Sequence, residues 1–146
     1  MKAWQLGAMG AVLAVAMTAC PSGRGAGNAT SVFPMKTGQT WAAVFQTSQG
    51  NVTVGFQLNS APEYDDDGDV IADLATTSNV EGGIGYVLTQ DDIFVAQFAI
   101  NRAQKTNLLC AADNAANFSN PVRGVGLLSQ NGKNSGEFNC TLQRVK

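Results

Sequence analysis

Three cysteines and one run of carboxylates are the side chains here with the most chemistry in them. Cys20, Cys110 and Cys140 could serve as nucleophiles, metal ligands or disulfide partners. An odd number of them leaves one that cannot pair within the chain. The stretch Glu63-Tyr64-Asp65-Asp66-Asp67-Gly68-Asp69 gathers carboxylates around a tight turn, which is what a hard cation such as calcium requires. Set against an EF-hand loop with Gly68 at its sixth place, Glu63, Asp65 and Asp67 fall on ligand positions. Leu74, however, stands where the bidentate Glu belongs. The expectation is therefore an acidic strand-connecting turn, with Asp65, Asp67 and Asp69 as candidate calcium ligands that hold no metal tightly.

Catalysis has little to build on. The chain contains no histidine, which removes Ser-His, Cys-His and histidine-ligated metal chemistry. It carries no G-x-S-x-G elbow, Walker loop or dinucleotide fingerprint. Gly82-Gly83-Ile84-Gly85 opens a strand rather than a helix, so no helix N-terminus is expected there for a phosphate. No two acids are singled out by spacing for glycoside chemistry. Neither enzymatic activity nor a cofactor is expected.

The first twenty residues are more informative. Lys2 gives a short basic start, Leu6 to Met17 is an apolar run, and Met17-Thr18-Ala19-Cys20 closes it with small residues before a cysteine. That is the three-part layout of a secretory signal, too short to span a membrane as a helix. Its last residues resemble the lipobox of bacterial lipoproteins: a small residue, Ala19, immediately before Cys20, and Met17 in the place usually held by Leu. The resemblance implies cleavage after residue 19 and lipidation of Cys20 as the new N-terminus. It further implies a cell-membrane or outer-membrane location on the exported side, with the bilayer as a partner through acyl chains. Lipidation of Cys20 leaves Cys110 and Cys140 to pair, and an oxidising compartment favours a structural bridge over a redox or metal pair.

The elements that position these residues follow from composition. Residues 1–19 read as the signal and 20–31 as a flexible tether, because Pro21 to Ser31 is too poor in apolar side chains to bury anything. Residues 32–146 read as a single small all-β domain, rich in Val, Ile, Leu and Phe and broken every eight to twelve residues by Gly, Asn and Asp. Alternation predicts about eight antiparallel strands, in an up-and-down barrel or a two-sheet sandwich. The first hairpin is predicted to turn at Gln49-Gly50 or Gly50-Asn51, with Phe45, Val54 and Phe56 on one face in either register. The strand at Ile93 to Asn101 is apolar on both faces, which predicts a cover beyond the main core. The last hairpin turns at Asn131-Gly132, and simple pairing across it sets Val125 opposite Phe138 and Arg123 opposite Cys140.

Charge is laid out unevenly. Nine acids lie between Lys36 and Arg102 with no Lys or Arg among them, whereas Arg102, Lys105, Arg123, Lys133, Arg144 and Lys146 face only Asp113 and Glu137 after that. Scattered bases of this kind make no nucleic-acid patch. Gly38-Gln39-Thr40-Trp41 near the first strand and Arg144 on the last are similar to the G-x-W motif and the Arg of lipocalins, with one residue more in the motif. That resemblance implies an eight-stranded barrel in which the Arg covers the Trp. The expected function is a membrane-anchored binding module for an apolar or cell-envelope ligand. The alternative is a structural or protein-interaction lipoprotein, which a side-chain-filled interior would favour. The sequence sets no oligomeric state.

Overall fold

The structure, a computed structural model, describes residues 26–76, 80–114 and 121–146. It contains one short helix, α1 (Ala26–Val32), and nine strands: β1 (Thr40–Thr47), β2 (Gly50–Leu58), β3 (Glu63–Tyr64), β4 (Val70–Thr76), β5 (Gly83–Leu88), β6 (Ile93–Asn101), β7 (Thr106–Asp113), β8 (Val122–Gln130) and β9 (Lys133–Arg144). All pairings are antiparallel, in the order β2-β1-β9-β8-β7-β6-β5-β4-β3, and β2 also pairs with β4. Eight strands thus close an up-and-down barrel, and the two-residue β3 attaches to the start of β4. Of the two architectures expected from the sequence, closure selects the barrel. The seam between β1 and β9 runs from Trp41 opposite Arg144 to Gln46 opposite Asn139. The seam between β2 and β4 is shorter, from Phe56 opposite Thr76 to Leu58 opposite Leu74.

Because the strands alternate in direction, the barrel has two distinct ends. One carries the start of β1, the acidic turn before β4, the β5–β6 turn and the end of β9. The other carries the β1–β2, β6–β7 and β8–β9 turns.

The interior is filled by aromatic rings set against glycines. Phe45, Phe56, Phe94 and Phe98 are fully buried, and burying each ring contributes about 1.5–3 kcal/mol. Phe45 meets Phe98 and Phe138 edge-on, with centroids 6.2 and 5.9 Å apart, and Phe56 packs on Phe98 at 5.2 Å. Gly83 and Gly85 of β5 face these rings. A Cβ on Gly85 would stand 2.7 Å from Cζ of Phe33 and 3.3 Å from Cε2 of Phe94. On β5 it is therefore the outward face that carries Ile84, Tyr86 and Leu88.

The second face of β6 is buried as well. Phe94, Ala96 and Phe98 join the interior, while Val95 on the opposite face is buried with Leu109, Ala111 and Leu127 in a second cluster, flanked by Tyr86, Ile93 and Val125. That cluster lies on the outside of β5 to β8.

Three sequence expectations need correction. The first hairpin turns at Ser48-Gln49, with Thr47 opposite Gly50 and Phe45 opposite Val52. The Thr47 hydroxyl donates to Gly50 O at 2.7 Å and accepts from the Gln49 amide at 3.3 Å, which fixes the earlier turn. Phe45 pairs two residues earlier than a Gln49-Gly50 turn would place it and four earlier than a Gly50-Asn51 turn would, both even shifts, so the buried face is unchanged.

The last hairpin does turn at Asn131-Gly132, whose φ angles of 53° and 77° suit a two-residue turn. A bulge between Leu128 and Ser129 then shifts the register, so Gly126 faces Phe138 and Gly124 faces Cys140. A one-residue shift exchanges the faces of a strand. Val125 and Arg123 accordingly turn outward instead of lying opposite Phe138 and Cys140.

The tether expected over 20–31 is helical from Ala26, and the expected boundary at residue 32 falls inside the fold. Ala29, Phe33 and Met35 are buried in the main core. Gly27, Asn28, Thr30 and Ser31 are poor helix formers, so docking of Ala29, Val32 and Phe33 on one face supplies what propensity does not. Pro34 ends the helix.

Candidate functional site

Cys110 and Cys140 form a disulfide, S–S 2.03 Å and Cα–Cα 5.9 Å, on the inner face of the barrel. The two cysteines sit on β7 and β9, which are separated by β8. Strands two apart in a flat sheet lie about 9.5 Å from one another, so the wall must fold sharply here. Gly124 and Gly126 of β8 allow it, since Gly126 is opposite Cys110 and Gly124 opposite Cys140. A Cβ on Gly124 would strike the Ala111 carbonyl, and one on Gly126 would lie 2.5 Å from the Phe138 ring. The bulge thus places glycines, not Arg123 and Val125, beneath the bridge. With both sulfurs bonded and buried, this pair offers no thiolate for catalysis or metal.

In the acidic turn the Asp65 carboxylate holds the turn's own backbone and the Asp69 carboxylate holds the turn after β5. Asp65 Oδ1 accepts from the amides of Asp67 at 3.0 Å and Asp69 at 2.9 Å. Asp69 Oδ1 accepts from the Thr89 amide at 2.9 Å, and the Thr89 hydroxyl donates to Gly68 O at 3.0 Å. These bonds tie the turn before β4 to the turn after β5. Partial burial pushes the Asp65 carboxyl above its usual value, the amides of Asp69 and Asp67 pull it back, and the neighbouring Asp69 and Asp67 charges push it up again. Among the described residues no three His, Cys, Asp or Glu side chains converge as a metal-binding group. Asp65, Asp67 and Asp69 lie together on the turn, with Asp65 and Asp69 engaged as hydrogen-bond acceptors.

Trp41 is almost fully buried and is the direct cross-strand partner of Arg144, which is exposed. Its indole N–H donates to Gln39 Oε1 at 3.3 Å, and the same oxygen accepts from the Lys36 amide at 3.0 Å. Gly38, at φ 86°, makes the turn that lets Gln39 reach both. The extra residue in Gly38-Gln39-Thr40-Trp41 therefore has a local task.

A ligand inside the barrel would need room. Besides the four buried Phe rings, Met35, Leu142, Val54, Val70 and Val87 are fully buried, and Ala43 is packed among them. A void that admitted water would leave accessible surface on such side chains. Open clefts lie elsewhere: one of about 540 Å³ where Ser31 and Val32 meet Tyr64, Thr89 and Asp92, and one of about 480 Å³ on the outer wall beside Asp73, Gln97 and Arg102. On the outer wall Tyr86 is mostly buried against the second cluster. Its hydroxyl is pushed up to about 12, chiefly by burial and secondarily by the negative charge of Asp69.

Cys20 and the expected signal over 1–19 lie outside the described residues. Sequence reasoning missed Phe33 and Met35 as core residues and Gly124 and Gly126 as the seat of the bridge. The Gly-x-Gly spacing on β8 was the available signal for the latter. No family model, curated protein or solved structure matches this chain.

Proposed function

We propose that this chain is an exported bacterial lipoprotein, anchored through Cys20 on the exported side of the cell or outer membrane. In this reading it acts through the outside of its barrel as a structural or protein-interaction component of the envelope. The observation that carries the choice between a ligand carrier and a surface-acting protein is the packed interior, where Phe45, Phe56 and Phe98 occupy the space an apolar ligand would take. The covalent bridge over β8 stiffens the same wall and works against an interior that opens and closes. The anchor is supported by the Ala19-Cys20 junction, and by a disulfide that accounts for the other two cysteines. No catalytic role is proposed.

Native mass spectrometry of the protein purified from an exporting bacterium tests the choice. The expected species is the polypeptide with one disulfide and acyl groups on Cys20; a retained apolar ligand, stoichiometric and lost on denaturation, overturns it in favour of the binding module. The anchor has its own test. Fatty-acid analogue labelling should mark the wild type and not Cys20→Ser, and equal labelling of the two removes it.

A further inference from the structure

We infer that the docking of α1 fixes which end of the barrel faces the bilayer: the end bearing α1 and the acidic turn is held next to the lipid, and the β1–β2, β6–β7 and β8–β9 turns point away. This inference rests on the anchored reading of Cys20, and the observations behind it concern where the chain joins the fold. Phe33 packs edge-on against Phe94, near the start of β6, with centroids 5.4 Å apart. Val32 O accepts from Asn114 Nδ2 at 3.1 Å, just beyond the end of β7, and Asn114 N donates to Asp92 O at 2.8 Å. Ala29 is wholly buried. The helix is thus seated on the end that also holds the β5–β6 turn.

Only residues 21–25 separate Cys20 from Ala26. Fully extended, those six peptide steps reach about 20 Å. A tether of the twelve residues expected from the sequence, followed by a free domain, would let the barrel tumble. One this short has an average span of only about 13 Å, so with a barrel about 20 Å tall the other end reaches the lipid only when every step of the tether is stretched along the wall, and the attached end is the one held near the bilayer.

Charge argues the opposite way and so makes the inference testable. The anchored end bears Asp65, Asp66, Asp67, Asp69, Asp91 and Asp92, against Lys36, Arg144 and Lys146. The far end bears Arg102, Lys105 and Lys133, with Glu81 accepting from the Arg102 amide. An anionic bilayer would repel the first and attract the second, but that force decays within a Debye length of about 8 Å at physiological salt. The covalent tether acts at any salt.

The experiment uses the full chain expressed in an exporting bacterium, with an azide-bearing residue in place of exposed Gln90 or exposed Ala103, each coupled to a donor dye. The purified protein is reconstituted in phosphatidylcholine vesicles carrying acceptor-headgroup lipid, with and without phosphatidylglycerol. Transfer from position 90 is expected to be at least about twofold stronger than from position 103, given the separation of about 20 Å along the barrel. Inserting about twenty Gly and Ser residues after Gly25 is expected to bring the two toward equality. Equal or reversed transfer in the unmodified protein overturns the inference, and so does a bias that survives the insertion. If intact mass shows Cys20 without acyl groups, the anchored reading fails by itself. The same protein coupled through the Cys20 thiol to a maleimide-headgroup lipid then still decides the orientation.

Discussion

Breaking the Cys110–Cys140 bridge should cost this barrel a large part of its stability. The bond closes a loop of 30 residues, and in the chain-entropy account that loop restricts the unfolded chain by about 3.6 kcal/mol. Domains of this size are stable by about 5–15 kcal/mol, so the loss is a quarter or more of the total. Replacing both cysteines by Ala removes the bridge without burying a polar group at these apolar positions. With a urea m-value of about 2 kcal/mol/M, the unfolding midpoint should fall by nearly 2 M. Replacing both by Ser should cost a further 1–3 kcal/mol or so for each hydroxyl buried without a partner. Equilibrium urea unfolding of the wild type, the reduced wild type and the two double variants measures all of this. A loss below about 1 kcal/mol in the Ala variant, or two alkylatable thiols in the unreduced denatured protein, would refute the reasoning.

The glycines under the bridge should differ in a predictable order: Gly124→Ala meets backbone at Ala111 and should cost about 2–3 kcal/mol, while Gly126→Ala meets the half-buried Phe138 ring, which can turn, and should cost about 1 kcal/mol. Urea unfolding of both checks this, and the reverse order would contradict the corner geometry. Tyr86 should make the barrel sensitive to alkali: its folded pKa of about 12 lies above the usual 10.0, so its contribution is complete below pH 10 and is lost as pH rises from 10 to 12. Over that window wild type should lose about 2–3 kcal/mol more than Tyr86→Phe, and parallel curves would show that Tyr86 is not buried as described. At the acidic turn, Asp65→Ala should destabilise by about 1–2 kcal/mol through the loss of two amide hydrogen bonds, whereas Asp65→Asn keeps an acceptor oxygen and should be near neutral at pH 7. Equal losses in thermal or urea unfolding would mean that charge, and not the turn's hydrogen bonding, is what Asp65 supplies.

Local alternation by itself determined most of the wall of this barrel. Strand positions, the inward run of Phe45, Val54 and Phe56, the two-faced β6 and the Asn131-Gly132 turn all follow from period-two patterning and turn chemistry, which act between near neighbours. The pairing of Cys110 with Cys140 followed from counting cysteines on the expectation that Cys20 is lipidated. Tertiary structure decided what near neighbours cannot. The seam that sets Trp41 opposite Arg144 joins strands about a hundred residues apart in the chain, which no local pattern encodes. The bulge beside Ser129 was invisible because its extra residue, Ser135, leaves the apolar alternation of Phe138, Cys140 and Leu142 untouched while exchanging which face of β8 meets the core. That exchange decided that Gly124 and Gly126, and not Arg123 and Val125, lie beneath the disulfide. The helix at Ala26 was invisible for a different reason: its residues have little helical preference, and only a barrel end offering Phe94 and Asn114 stabilises it. Whether the interior is empty or full was likewise a matter of three-dimensional fit, since Gly85 reads as a gap in the sequence and becomes the seat of Phe33 in the fold.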